Sequence, residues 1–359
     1  MKRQNLKIIA VCLIFLTIVA GIVFGVLYKK MTYIQREEII QNTSSTATAA
    51  PIQQTQKNSD LIIEKKREAM YTYEDMESDL HTLEENFGNI MTLTQIAETV
   101  DGRYVYDAAA GDKNSKNQYI VTASIHAREY ITSKLVMLQL MDFLKEYQGE
   151  DVLFHVIPMV NPDGVSVSQF GEDGIKNKET AEKIKAIAAY DGKSTADREY
   201  LRQWNANANG VDLNRNFVAM WNEYKGASHP SSSRYKGEYP GSENETDALI
   251  RLTKDNPIKS TVSYHTMGNV IYWYFGQTGT LLERTKKLAE RIGVSTGYKS
   301  DSDFESLDPA GYKDWALSTL QIPSVTIETG YGDNPVDETQ IEEIYQKNKN
   351  IFKIISEGL

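Results

Sequence analysis

Residues 124–132, with the sequence SIHAREYIT, place His126 and Glu129 three residues apart. The apolar run QYIVTAS comes directly before this pair, so both side chains follow a predicted strand. Zinc binds imidazole nitrogen and carboxylate oxygen tetrahedrally, and catalytic zinc sites keep the fourth position for water. The pair therefore predicts two ligands of a zinc site, and a third ligand must come from elsewhere in the chain.

The spacing alone is weak evidence, because a second pair with the same spacing exists at His81 and Glu84. Chance produces about 0.7 such pairs in a chain with 5 histidines and 49 acidic residues among 359. Apolar residues recur around the second pair at helical spacing, namely Met76, Leu80, Leu83 and Phe87. This pattern predicts an amphipathic helix with His81 and Glu84 on its solvated face.

The elements around the first pair predict an α/β domain with a mainly parallel sheet, since short apolar runs alternate with helical stretches. Predicted strands cover residues 118–124, 152–160, 260–264, 269–275 and 323–327. Predicted helices cover residues 73–87, 131–147, 178–189 and 338–357. His155 lies within the second strand, which favours a packed core histidine, and the sequence NPDG at residues 161–164 predicts a turn.

Four chemically suited side chains follow predicted strands. His126 and Glu129 follow the strand at residues 118–124, His265 follows residues 260–264, and Glu328 follows residues 323–327. Open α/β sheets bind ligands at the carboxyl ends of their strands. His265 alone would also fit an ordinary strand end, but together the four residues predict one site.

The first 66 residues differ from the rest of the chain. Residues 8–28 carry no charge and, as a helix, would span about 30 Å of hydrocarbon. We expect a retained single-pass anchor and cytoplasmic stub in residues 1–30, a flexible tether in residues 31–66 and a catalytic domain in residues 67–359. A cleaved signal peptide is the alternative, because residues 47–49 resemble a peptidase site. Flanking charges do not decide the orientation, and a signal-anchor start favours an extracellular domain at the cell membrane.

The net charge of −10 argues against nucleic acid or an anionic membrane surface as the partner. Cys12 is the only cysteine, so the chain forms no intramolecular disulfide.

The sequence resembles the zinc metallocarboxypeptidases of the carboxypeptidase A type, and within them a bacterial group that includes γ-D-glutamyl-diaminopimelate peptidases of cell walls. The resemblance covers residues 71–352 and rests on five motifs in order: HAREYIT, NPDG, GVDLNRNF, YHTMGNVIYW and IETG. It implies a single domain with a mixed eight-stranded sheet flanked by helices, and one Zn²⁺ per chain.

By the same resemblance, His126, Glu129 and His265 are the zinc ligands, and Glu328 is the general base and acid. Asn214 and Arg215 correspond to the pair that binds the substrate's C-terminal carboxylate, which suits the planar donors of a guanidinium. Arg128 corresponds to a substrate-binding arginine. For Arg215 a surface ion pair is the alternative, and for Asn214 a turn.

The sequence departs from the family pattern in two places. The oxyanion arginine that follows a tryptophan in the pancreatic enzymes is replaced by Asn205, which leaves the preceding Arg202 as the candidate. Ser306 stands where the family has a substrate-capping tyrosine, with Tyr298 and Tyr312 as nearby candidates.

Lys313 aligns with the base of the pocket that reads the substrate's terminal side chain. An ammonium group there predicts a preference for a carboxylate-bearing terminal residue such as diaminopimelate, because opposite charges attract strongly in a confined pocket. A surface lysine that points into water is the alternative.

The sequence thus predicts a membrane-tethered zinc carboxypeptidase that hydrolyses the C-terminal bond of peptides, including stem peptides of the cell wall. A catalytically silent peptide-binding protein is one alternative, although it would not need Glu328. An amidohydrolase of small N-acyl amino acids is the other, although it would not need the Asn214 and Arg215 pair.

Overall fold

The computed structural model describes residues 61–301 and 308–358, which contain one eight-stranded sheet. The strands are numbered along the chain, and they lie side by side in the order β1-β2-β4-β3-β5-β8-β6-β7. They are β1 Met91–Glu98, β2 Tyr104–Gly111, β3 Gln118–Thr122, β4 Leu153–Ile157, β5 Ile258–His265, β6 Val270–Tyr272, β7 Lys299–Asp301 and β8 Ser324–Glu328.

The sheet is mixed: its central strands and the β6–β7 pair at one edge are parallel, and the other pairs are antiparallel. β3 pairs in parallel with β4 and β5, and β5 pairs in parallel with β8. The β1–β2, β2–β4 and β6–β8 pairs are antiparallel. The connections at residues 99–103 and 266–269 are too short for the crossover between parallel strands, so β2 runs opposite to β1 and β6 runs opposite to β5. Because β8 is parallel to β5, β6 is antiparallel to its neighbour β8.

Helices cover both faces of the sheet. They are α1 Ile62–Lys65, α2 Tyr73–Phe87, α3 Ile131–Glu146, α4 Pro162–Phe170, α5 Lys178–Tyr190, α6 Arg198–Arg202, α7 Asn244–Asp255, α8 Gly279–Thr296, α9 Tyr312–Ser318, α10 Ile341–Asn348 and α11 Ile351–Ser356. Val121 belongs to a core cluster that also contains residues of α2, α3, α8, α10 and α11, whereas Ile120 belongs to a second cluster with residues of α7 and α9. Successive side chains of β3 thus point to opposite faces of the sheet and contribute to two cores, as expected for a strand buried on both faces.

Several predicted elements keep their bounds and others do not. α2 covers the predicted residues, and its Thr72 and Asp75 form a capping box. The predicted turn at NPDG is wrong, because Asn161 caps α4 by accepting from the Gly164 amide and Pro162 is the first helical residue. The predicted C-terminal helix is divided into a 3₁₀ turn, α10 and α11.

The three histidines outside the predicted metal site include two whose settings were predicted. His81 is exposed on α2, while Glu84 is half-buried and accepts a hydrogen bond from the Leu93 amide at 2.8 Å. His155 is buried and contacts Asp107 through Nδ1 at 2.7 Å and Gln118 through Nε2 at 3.2 Å. His81 therefore lies on the solvated helix face and His155 in the core, as the sequence predicts.

The packed domain includes residues before 67. Leu61 and Ile63 are buried, and the Ile62 and Ile63 amides donate to the two carboxylate oxygens of Asp79 at 2.7 and 2.8 Å. Residues 61–66, which the sequence analysis assigned to the tether, are thus part of the domain. The predicted anchor at residues 8–28 lies outside the described residues. Among the described helices, none has the length and apolar character needed to span a membrane.

Candidate active site

The predicted site residues meet at the carboxyl edge of the three central parallel strands. His265 and Glu328 end β5 and β8 and are register partners. His126 follows β3 and precedes the 3₁₀ turn Ala127–Glu129. Adjacent parallel strands thereby bring residues from three distant parts of the chain to one place.

Hydroxyl groups hold the backbone turn that leads from β3 to His126. Ser124 has a φ of +49°, a left-handed conformation that is uncommon for a residue with a side chain. Its amide donates to Thr132 Oγ1 at 3.0 Å, and its own hydroxyl lies 2.7 Å from Ser133 Oγ. These bonds to the start of α3 compensate for the unfavourable backbone conformation.

Three donor groups converge at this edge. His126 Nδ1 lies 2.8 Å from Glu129 Oε1, His265 Nδ1 lies 3.0 Å from Glu129 Oε2, and the two Nδ1 atoms are 3.1 Å apart. The Thr266 amide also donates to Glu129 Oε2 at 3.2 Å, which fixes the carboxylate. The two imidazoles and the carboxylate form the group that could hold a metal ion in the described part of the chain.

These donors fit zinc. Ligand bonds of about 2.0–2.2 Å in tetrahedral geometry separate neighbouring ligand atoms by about 3.3 Å. The two Nδ1 atoms are 3.1 Å apart, slightly less than that value, and each lies within 3.0 Å of a different oxygen of Glu129. Two histidine nitrogens and one glutamate oxygen are a ligand set of catalytic zinc sites.

Asp212 is a site residue that the sequence analysis did not single out. Its Oδ1 lies 3.4 Å from His126 Nε2, on the opposite side of the imidazole from Nδ1. A carboxylate there fixes the ring and the tautomer that leaves Nδ1 free for a metal. The signal was present in the motif GVDLNRNF, two residues before Asn214.

Charges within the site shift the protonation of its members. Burial disfavours the imidazolium of His126, but the negative charges of Glu129 and Asp212 outweigh it and raise the pKa of His126 to about 10. Burial likewise opposes ionisation of Asp212, yet the adjacent His126 lowers the Asp212 pKa to about 2. Burial lowers the pKa of His265. The two histidines hold the pKa of Glu129 well below its ordinary value despite burial.

Glu328 differs from the other carboxylates in the site. Burial, and next the negative charge of Glu129, raise the pKa of Glu328 to about 8. A carboxyl group whose pKa lies near neutrality can both accept and release a proton at that pH. The side chain lines the same cavity as His126 and His265.

The cavity has a volume of about 410 Å³ and continues from the metal-ligand cluster to a charged end. Asn214, Arg215 and Lys313 line it, as the sequence analysis predicted, together with Tyr272, Asp301, Asp308 and Asp314. Arg215 pairs with Asp308, and its guanidinium lies over the Tyr224 ring at 5.2 Å from the centroid. Asn214 Oδ1 accepts from the Tyr312 amide at 3.0 Å, which leaves its amide nitrogen for a ligand.

Lys313 is not a surface lysine that points into water. Its side chain is 12% exposed, pairs with Asp314 and donates from Nζ to the Tyr274 carbonyl at 3.3 Å. The aligned position is thus in the cavity, but its charge is partly balanced by a carboxylate of the chain itself. The sequence analysis did not foresee this pairing.

Two predicted arginines, Arg202 and Arg128, are not among the residues that line the cavity. Glu199 accepts from the Arg202 guanidinium at 2.6 and 2.9 Å on α6, and the oxyanion role of Arg202 stays a prediction. Arg128 donates to Gln203 Oε1 at 3.2 Å, and its charge acts on Glu328.

The two tyrosine candidates for the substrate cap bond to partners inside the domain. Tyr298 and Tyr312 are buried, and their hydroxyls bond to Thr329 at 2.7 Å and Thr253 at 2.9 Å. Ser306 lies outside the described residues. Tyr272, which the sequence analysis did not consider, is 41% exposed and lines the cavity.

The sequence model of the zinc carboxypeptidase family matches residues 76–351. The chain belongs to this family. The chain is 30% identical over 301 residues to γ-D-glutamyl-L-diamino acid endopeptidase 1 of Lysinibacillus sphaericus, a match that covers 79% of this chain and 71% of that protein. It is 24% identical over 258 residues to human mast cell carboxypeptidase A, covering 65% of this chain and 56% of the relative.

The fold agrees with the family. The crystal structure of carboxypeptidase A from Helicoverpa armigera superposes with a TM-score of 0.64 at 18% identity, covering 80% of this chain and 73% of the other. As a zinc carboxypeptidase, the chain is a metallopeptidase, and the three convergent donors are a metal site of the kind that the family uses. A catalytically silent binding protein is therefore the weaker interpretation.

Proposed function

We propose that this zinc carboxypeptidase hydrolyses the C-terminal bond of peptides that end in a free carboxylate. One observation supports the proposal above the others: a single cavity contains the metal-ligand histidines, Glu328 and Arg215. Hydrolysis of a terminal peptide bond needs all three functions, namely a metal site, a proton carrier and a group that recognises the terminal carboxylate.

His126, Glu129 and His265 would hold zinc, which when bound polarises the scissile carbonyl and favours ionisation of water. Glu328 as a carboxylate takes a proton from the attacking water and then passes it to the nitrogen of the leaving amino acid. In the metal-free protein, burial and the charge of Glu129 raise the pKa of Glu328 to about 8, and a nearby dication would lower it and favour the carboxylate that accepts the proton from water. Asp212 holds the imidazole of His126 in the required orientation.

Arg215 and the amide nitrogen of Asn214 would bind the terminal carboxylate of the substrate. A guanidinium matches a carboxylate with two parallel hydrogen bonds. In the free protein, Asp308 supplies a carboxylate to Arg215. We infer that the substrate carboxylate replaces Asp308.

The charged end of the cavity supports a finer proposal about the substrate. Lys313 and Asp314 form an ion pair there, and Asp301 is a second acid on the lining. A terminal side chain with a carboxylate and an ammonium would meet both charges, as in diaminopimelate. The relative from L. sphaericus is named as an endopeptidase for γ-D-glutamyl-L-diamino acid bonds. We therefore propose stem peptides of the cell wall as substrates.

The test of the activity compares a peptide with a free C-terminus, the same peptide with a C-terminal amide and an N-acyl amino acid. We expect cleavage of the first alone, and its loss when a chelator removes the metal. Equal cleavage of the amide would contradict the role of Arg215. Cleavage of only the N-acyl amino acid would favour an amidohydrolase.

The test of the terminal residue uses peptides that end in Glu, diaminopimelate, Phe or Lys. We expect diaminopimelate to be preferred, and Lys313→Ala to reduce that preference by about tenfold or more, as loss of a charged hydrogen bond does. Asp301→Asn removes an acidic group from the cavity lining, so the preference for diaminopimelate over a terminal Glu should become smaller. An unchanged ranking in both variants would contradict the proposal.

A further inference from the structure

Asn334, in the loop after β8, binds the segment that carries a metal ligand. Its Oδ1 accepts from the Thr266 hydroxyl, and its Nδ2 donates to the Thr266 carbonyl at 2.9 Å. Both ends of one side-chain amide are thus satisfied by a single residue of another loop. The backbone carbonyl of Asn334 in turn accepts from Gln203 Nε2 at 2.6 Å.

Thr266 connects this contact to the metal ligands. It directly follows His265, the last residue of β5, and its amide donates to Glu129 Oε2. A shift of the Thr266 backbone would therefore move one ligand and release another. Both ligands are nearly inaccessible to solvent, so no water replaces the lost amide donor without cost.

The second arm of the contact reaches the loop after β3. Gln203 donates to the Asn334 carbonyl and accepts from Arg128, which is the residue before Glu129. Asn334 thus joins the loops after β3, β5 and β8 at the edge of the sheet where the site is formed. The loop after β3 supplies His126 and Glu129, and the other two loops directly follow His265 and Glu328.

We propose that Asn334 is a positioning residue that holds Thr266 so that His265 and Glu129 keep the geometry required for zinc. The role depends on one donor and one acceptor in the same side chain. Aspartate has the same size but only acceptors when ionised, so it cannot donate to the Thr266 carbonyl. The inference rests on the proposed metal site and not on the identity of the substrate.

The test compares Asn334→Asp and Asn334→Ala with the wild type by competition for zinc against a chelator. We expect zinc affinity to fall by about 10- to 100-fold, as for other residues that orient metal ligands. Cobalt substituted for zinc should show an altered visible absorption spectrum, because that spectrum reports ligand geometry. Unchanged affinity together with an unchanged cobalt spectrum would overturn the proposal.

Two controls separate positioning from general stability. Asn117→Ala removes the amide contacts from Nδ2 to the Asp151 carbonyl at 3.2 Å and to Asp151 Oδ2 at 3.0 Å, at the opposite end of β3. It should leave zinc affinity unchanged. The metal-free Asn334 variants should unfold within about 4 °C of the wild type, the shift expected for about 1 kcal/mol. A much larger destabilisation would show that Asn334 serves folding.

Thr266→Val provides a milder perturbation. It removes the hydroxyl that donates to Asn334 and keeps the backbone amide that donates to Glu129. We expect a smaller loss of zinc affinity in the same direction. If Thr266→Val binds zinc as tightly as the wild type while retaining its fold, the proposed connection through Thr266 is wrong. Because zinc affinity is measured without substrate, failure of this inference is distinguishable from failure of the proposed peptidase activity.

Discussion

Zinc affinity should increase steeply with pH because zinc and a proton compete for His126. The negative charges of Glu129 and Asp212 outweigh burial and raise the pKa of His126 to about 10. A histidine must be neutral to bind zinc. At pH 7 the neutral fraction is therefore about one in a thousand, and displacement of the proton opposes zinc binding by about 4 kcal/mol.

The sign follows from this competition. Each unit of pH increase below about 10 makes neutral His126 tenfold more abundant, so the apparent association constant should rise about tenfold per unit. Glu328, with a pKa of about 8, adds to the slope because a nearby dication favours its ionised form. The slope of log affinity against pH should thus be at least about one between pH 6.5 and 8.5.

The assay is competition with a chelator of known pH dependence, on the metal-free domain. Asp212→Asn provides the matched comparison, since it removes one of the two charges that raise the pKa of His126. In that variant the pKa of His126 should be lower, so zinc affinity should stop increasing with pH at a lower pH than in the wild type. A zinc affinity independent of pH in the wild type would refute the assigned protonation, and identical profiles would refute the role of Asp212.

The remaining predictions concern the carboxylate-binding residues and stability. Arg215→Ala should reduce kcat/KM for a free-carboxylate peptide by about 10- to 150-fold, the equivalent of about 1.5–3 kcal/mol for a charged hydrogen bond. Asp308→Asn should lower KM in steady-state kinetics, and a raised KM would contradict competition for Arg215. Burial raises the pKa of Glu245 to about 8, above its unfolded value, so the folded state binds the extra proton and stability is lost as pH rises from about 4.5 to 8. Glu245→Gln should flatten this loss in urea unfolding, and equal pH dependence of both midpoints would show that another group causes it.

The sequence predicts the position of the site well because strand ends are easy to recognise. His265 and Glu328 each end an apolar run, and the parallel pairing of β5 with β8 makes them neighbours. α2 is also predicted with its observed bounds, since its amphipathic pattern and its Thr72 cap are both local.

What the sequence does not predict depends on contacts between distant residues. Asp212 lies beside His126 only because the loop after α6 passes the end of β3. Tyr298 and Tyr312 are plausible cap residues in sequence, yet each packs inward and bonds to a buried partner. The antiparallel pairs β1–β2 and β6–β8 depend on connection length as well as strand pattern.

The charge partner of Lys313 is likewise not predicted by the sequence. Alignment places Lys313 in the cavity, and the structure agrees. Its pairing with Asp314 depends on side-chain geometry that the sequence does not predict, and it places a carboxylate of the chain beside the ammonium group.

The most direct test of the central claim is turnover by Glu328→Gln with its zinc content measured on the same sample. The variant keeps the size of the side chain and leaves the three metal donors in place. We predict about one zinc per chain and a loss of hydrolysis of about 10²- to 10⁴-fold, the usual contribution of a general acid–base group. Full activity in a zinc-loaded Glu328→Gln sample would contradict the account.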